Sequence, residues 1–87
     1  MYNKKYRIEK IEEFGRHNDL YDGVEGRVCY LAYLKVGERG WFLYESNDWI
    51  GCHRIHTSII KDVEYTRGNQ IIVTTQNTKF TFTLIND

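Results

Sequence analysis

Ile71-Ile72-Val73-Thr74-Thr75-Gln76-Asn77-Thr78-Lys79-Phe80-Thr81-Phe82-Thr83-Leu84 is the stretch that decides the fold. From Thr78 to Leu84 apolar and polar residues alternate without a slip, the period of a strand with one face buried. Residues 71–75 are β-branched throughout, the side-chain type that fits a pleated sheet. Gln76-Asn77 or Asn77-Thr78 makes a two-residue turn between them. Either register places Ile71 and Val73 on the face of Phe80 and Phe82, so the hairpin does not depend on the turn chosen.

Working outward, Asp62-Val63-Glu64-Tyr65-Thr66 alternates too, and Arg67-Gly68-Asn69 fits a three-residue loop with Gly or Asn in the left-handed conformation. Closing that loop pairs Tyr65 with Ile71 and Val63 with Val73. Strands near 61–66, 70–76 and 78–85 therefore form a meander with one apolar face. A second hairpin spans residues 27–36 and 41–46 around Gly37-Glu38-Arg39-Gly40, where two glycines bracket two charges. With Val36 opposite Trp41, one face carries Val28, Tyr30, Ala32, Leu34, Trp41 and Leu43 and suits the core. The other carries Leu31, Tyr33, Phe42 and Tyr44, and needs cover from the N-terminal strand, from the rest of a closed barrel, or from a partner.

The first segment matches a helix at Ile8, Ile11 and Phe14 and a strand at Tyr6 and Ile8. The strand reading is preferred, with a bulge near Lys10 that returns Ile11 to the face of Tyr6 and Ile8. Residues 15–26 are then the longest loop, in which Asn18, Asp19 and Asp22 serve as turn formers. The fold class is mostly β: an antiparallel meander of about five or six strands curling into a small, partly open barrel. Residues 1–87 make one domain, because a chain of 87 residues supplies a single core.

Lysine plus arginine equals aspartate plus glutamate at 12 each, so no overall field draws the chain to nucleic acid or an anionic membrane. No apolar run approaches the roughly 18 residues that a membrane-crossing helix needs. Lys4, Lys5 and Arg7 lead into glutamates with no apolar stretch, unlike a secretory leader. Cys29 and Cys52 read as two reduced thiols in a cytoplasmic protein, with a single bridge between them left open.

Catalytic and ligand motifs fail one by one. In Cys52-His53-Arg54-Ile55-His56 the two histidines point to opposite faces of an extended segment, where a structural zinc needs four converging ligands. Ser58 lacks the strand-to-helix elbow of a serine hydrolase, and Thr57 or Ser58 suits the cap of a short turn or bend. The loop from Asn18 to Gly23 has Leu20 where a calcium loop needs an oxygen donor, and Cys29 where it needs a bidentate carboxylate. No glycine-rich phosphate loop is present. The expectation is a protein that is not an enzyme and takes no cofactor or metal.

Surface contact remains. Trp41 and Trp49 lie with Arg39 and Arg54 around the polar loop 46–51, and Trp and Arg are the usual anchors of interfaces. The candidate partner-contact residues are Trp49 first, then Arg54, Arg39, Tyr33, Phe42 and Tyr44. The expected function is a small cytoplasmic protein-interaction module with a protein partner, a second copy of itself or another chain. Its size and lack of apparatus suggest a bacterial, phage or mobile-element setting. The alternative is a small barrel that stacks nucleic-acid bases on Tyr33, Phe42 and Tyr44 beside Arg27 and Lys35. Zero net charge and the interleaved Glu25, Glu38 and Glu45 weigh against it.

Overall fold

In a computed structural model, residues 4–45 and 52–86 are described. Six strands follow one another: β1 (Lys5–Glu13), β2 (Val28–Tyr33), β3 (Arg39–Glu45), β4 (Cys52–Tyr65), β5 (Gln70–Thr75) and β6 (Thr78–Asn86). Each pairs antiparallel with the next, and β1 pairs with β6, so the sheet closes into a barrel rather than staying partly open.

The C-terminal meander has the register its alternation dictates. Val63 faces Val73 and Tyr65 faces Ile71, while Ile71 faces Phe82 and Val73 faces Phe80. Gln76-Asn77 is therefore the turn. Asn69 at φ 62° supplies the left-handed residue of the preceding loop. In β1 the ladder slips between Ile8 and Lys10, the expected bulge, and Ile11 packs on the core with Tyr6 and Ile8. Tyr65 departs from the pattern: it sits at the end of β4 with 73% of its surface exposed.

The central hairpin differs from its expected register. Leu31 faces Phe42, Tyr30 faces Leu43, and after a slip Tyr33 faces Trp41. Leu34 and Val36 lie beyond β2, in a loop whose ends hydrogen-bond to β4: Gly37 N–H donates to the Ile60 carbonyl, and Ile60 N–H donates to that of Glu38. Leu34 packs on the core as expected, but in β3 the inward side is the opposite of the one expected. Phe42 and Cys29 are fully enclosed and Leu31 and Tyr44 pack against the core, whereas Trp41, Leu43 and Tyr30 take the outer side. The barrel itself covers Leu31, Phe42 and Tyr44 of the aromatic face and leaves Tyr33 exposed.

Phe42, Phe80 and Phe82 form the centre of the core. Phe42 meets Phe80 and Phe82 nearly edge-on, with centroids 5.5 and 5.4 Å apart, the geometry that aromatic quadrupoles favour. Fourteen residues long, β4 passes from pairing with β3 to pairing with β5; Thr57 and Ser58 lie within the strand, where the ladder to β3 slips, not at a helical turn. Gly40 is required there, because a Cβ would stand 2.6 Å from Ile60 Cδ1 and 2.7 Å from the Tyr33 carbonyl oxygen.

Only Tyr6 and Arg7 of β1 appear in the ladder to β2, so the rest of β1 needs another neighbour. Residues 14–27 supply it by running back along the strand. Gly26 N–H donates to the Ile8 carbonyl, and Ile11 N–H donates to Glu25 Oε2 at 2.8 Å. Within this strap Asn18 caps a 3-10 turn, Asp19–Tyr21, by accepting from Leu20 N–H. Val24 is buried, and Tyr21 lies edge-on to Phe80 at 5.5 Å. The strap thus contributes to the core, which its polar sequence did not announce.

Candidate functional site

The outer surface of β2, β3 and β4 is built by alternation around the buried Phe42. Trp41 faces Tyr33 on β2 and His56 on β4, and Leu43 faces Tyr30 and Arg54. The Arg54 guanidinium lies 4.8 Å from the Trp41 ring centroid, and the His56 ring is tilted against the same indole at 6.2 Å. A guanidinium over an indole is held by the ring quadrupole while its N–H groups stay available to a ligand. Carboxylates flank this patch but are engaged: Glu45 accepts from the Tyr30 hydroxyl at 2.8 Å, and Glu38 accepts from that of Tyr33 at 2.8 Å. Glu38 also pairs with Lys35 at 3.1 Å, and these bonds lower its pKa from the usual carboxylate range. The result is an aromatic surface with a cation stacked at its centre.

Of the residues singled out from sequence, Arg54 and Tyr33 belong to this face. Phe42 and Tyr44 point into the barrel, Phe42 completely and Tyr44 near one end, where its ring stacks on His53 at 5.3 Å. Arg39 stands apart, at the start of β3. Trp49, with the loop 46–51, lies outside the described residues. Trp41, which sequence reasoning placed in the core, holds the centre of the outer face instead.

At the opposite end of the barrel from Tyr44, a cleft of about 570 Å³ opens between the strap, the start of β3, the middle of β4 and the β5–β6 turn. Arg16, Arg39, His56 and Phe14 line it together with hydroxyls of β4 and β6. Its wall is hydrogen-bonded: Ser58 Oγ donates to Thr75 Oγ1 at 2.9 Å, Thr75 donates to the Thr78 carbonyl at 3.0 Å, and Thr57 Oγ1 accepts from Gly40 N–H at 2.9 Å. The Ser58 proton is committed to Thr75, so this hydroxyl is part of the wall.

Beside the cleft, His17 bridges two carboxylates. Its Nδ1 is 2.7 Å from Glu13 Oε1 and its Nε2 is 2.6 Å from Asp22 Oδ1. Carboxylates accept only, so both ring nitrogens donate and the ring is an imidazolium. The bond to Glu13, then that to Asp22, raises the His17 pKa. The Asn18 N–H, at 2.6 Å from Glu13 Oε2, is the main cause of a lowered pKa at Glu13. His17, Asp19 and Asp22 bring ligand-type atoms within 4.8 Å of one another, but all three are exposed and both imidazole nitrogens are already engaged. Cys29 is a free thiol, and burial pushes its pKa up to about 12.

Together these features define a class, a closed six-stranded antiparallel barrel with an aromatic outer face and a polar end cleft. No protein-family model, no curated protein and no solved structure matches the chain. Among the described residues no helix is long and apolar enough to cross a membrane.

Proposed function

We propose that the protein is a non-enzymatic interaction module of the cytoplasm that binds a protein partner through the outer face of β2, β3 and β4. The observation that carries this reading is the Trp41–Arg54 pair: the largest side chain of β3 lies outside the barrel, beneath a guanidinium, with Leu43, Tyr30 and Tyr33 around it. Trp, Tyr and Arg are the residue types in which binding energy concentrates, and a semi-rigid aromatic surface loses little side-chain entropy on contact. A buried free thiol at Cys29 fits a reducing compartment.

The partner is a second copy or another protein, and solution mass separates the two. Sedimentation of the purified protein, followed by quantitative binding to any co-purifying chain, is compared between wild type, Trp41→Ala and Arg54→Ala. Truncating a central tryptophan is expected to cost about 2 kcal/mol of binding, roughly thirtyfold in Kd. The same aromatic and cationic groups could also stack on single-stranded nucleic acid. An oligonucleotide complex that weakens steeply with salt and needs Trp41, alongside a monomer that retains no protein, would replace the protein-interaction reading with that one.

A further inference from the structure

The cleft at the barrel end has a charge pattern that the outer face does not explain. Arg16 comes from the strap and Arg39 from the first residue of β3, two segments far apart in sequence that line one concavity. Neither guanidinium has a carboxylate within ion-pair distance among the described residues, although Arg7, Lys10 and Lys35 each have one. The acid that shares the cleft, Glu13, is engaged on His17 through one oxygen and on Asn18 N–H through the other. Two guanidinium groups against one carboxylate leave the lining with a net positive charge. Phe14, with 56% of its surface exposed, lines the cleft as well.

From this arrangement we infer that the cleft binds a small aromatic phosphomonoester, with the phosphate between Arg16 and Arg39 and the aromatic ring on Phe14. Two planar guanidinium groups suit a doubly charged tetrahedral anion, because each can offer paired N–H donors to separate oxygens. A carboxylate, planar and singly charged, is a poorer electrostatic match to two guanidinium groups. The cleft volume of about 570 Å³ accommodates a ligand of mononucleotide size. The contacts come from side chains of separate segments and need no glycine-rich loop, which explains why no phosphate motif is visible along the chain. His56 touches both this cleft and the Trp41 indole, so an occupant here would adjoin the proposed interaction face.

The test is a titration of uniformly ¹⁵N-labelled full-length protein with adenosine monophosphate, phenyl phosphate, inorganic phosphate and adenosine, each followed by amide chemical shifts. Saturable shifts at Phe14, Arg16 and Arg39 are expected with both aromatic phosphates, at least about tenfold weaker binding with inorganic phosphate, and none with adenosine. Which of the two aromatic phosphates binds tighter distinguishes a nucleotide from a simpler aryl source, and saturable binding of either at these residues supports the site. Arg16→Gln and Arg39→Gln, both at exposed positions, should each weaken binding at least about tenfold while the remaining spectrum is preserved. Phe14→Ala should reduce the aromatic phosphates to the level of inorganic phosphate. Trp41→Ala, outside the cleft lining, should leave binding intact, so failure of the interaction reading is told apart from failure here. Absence of a saturable shift with every phosphate probe, shifts that persist in the Arg16→Gln/Arg39→Gln double variant, or equal binding of adenosine would each overturn the inference.

Discussion

Phe42→Ala against Trp41→Ala decides which side of β3 is the core. Phe42 has no exposed surface and sits edge-on to both Phe80 and Phe82, so truncation leaves a cavity that two rigid rings cannot refill. A loss of about 3–5 kcal/mol is expected, toward the upper end because two edge-to-face contacts go with the side chain. A chain of 87 residues has roughly 4–13 kcal/mol in total, so Phe42→Ala removes about a quarter of its stability or more. The corresponding fall in thermal midpoint is roughly 20 °C. Trp41 is half-buried on the outer surface, and its loss forfeits some packing with a cation–π contact, about 1 kcal/mol. Urea unfolding followed by far-ultraviolet circular dichroism measures both, with the slope m checked for constancy. Phe42→Leu, which keeps most of the volume, is expected to cost about 1–2 kcal/mol and serves if the alanine variant does not fold. An equal or larger loss for Trp41→Ala than for the Phe42 substitutions would mean that the faces are assigned the wrong way round.

Gly40→Ala should destabilise by about 1–3 kcal/mol in the same urea assay, because one of the two atoms in its way is a backbone carbonyl oxygen. The His17 bridge has a pH window. A raised imidazole pKa contributes stability that is complete below about 6.5 and is lost as pH rises through the folded value, whereas the lowered pKa of Glu13 contributes stability above about 4.5 that is lost as pH falls through its folded value. The thermal midpoint of wild type should therefore exceed that of His17→Gln between these limits, and the difference should shrink at alkaline pH; a pH-independent difference would contradict the imidazolium assignment. Cys29, buried and with its thiolate disfavoured, should resist alkylation at pH 8 in a Cys52→Ala background until denaturant is added, as followed by intact mass.

The C-terminal meander was legible because its alternation is strict and its turns are short, so register followed from parity alone. The β1 bulge was legible for a related reason: Tyr6, Ile8 and Ile11 can share a face only if one residue is looped out. The central hairpin misled because both of its faces are apolar, and alternation cannot then say which is inside. Its turn signal, Gly37 to Gly40, marked a loop that in the structure begins at Leu34 and docks on Ile60, which no local pattern encodes. Trp41 was consequently placed in the core, and Phe42 on a second face that needed cover. The strap hid its role in the core because Tyr21 and Val24 are isolated among polar residues. The end cleft had no sequence signal, since Phe14, Arg16, Arg39 and His56 converge only after the barrel closes.

The seam between β1 and β6 also constrains how the chain reaches its native state. Lys5 pairs with Asn86 and Glu13 with Thr78, so the strands at the two ends of the described chain are hydrogen-bonded neighbours. Four hairpins can form from residues close in sequence, but this ladder must wait for nearly the whole chain, and its loop-closure entropy is recovered only at the end. Until then β1 and β6 each present an unpaired edge, the stage most exposed to intermolecular strand pairing. Joining the two ends and reopening the chain in the loop around Gly37 would turn the slowest contact into a local hairpin. The permuted barrel should fold faster with the same set of strand neighbours.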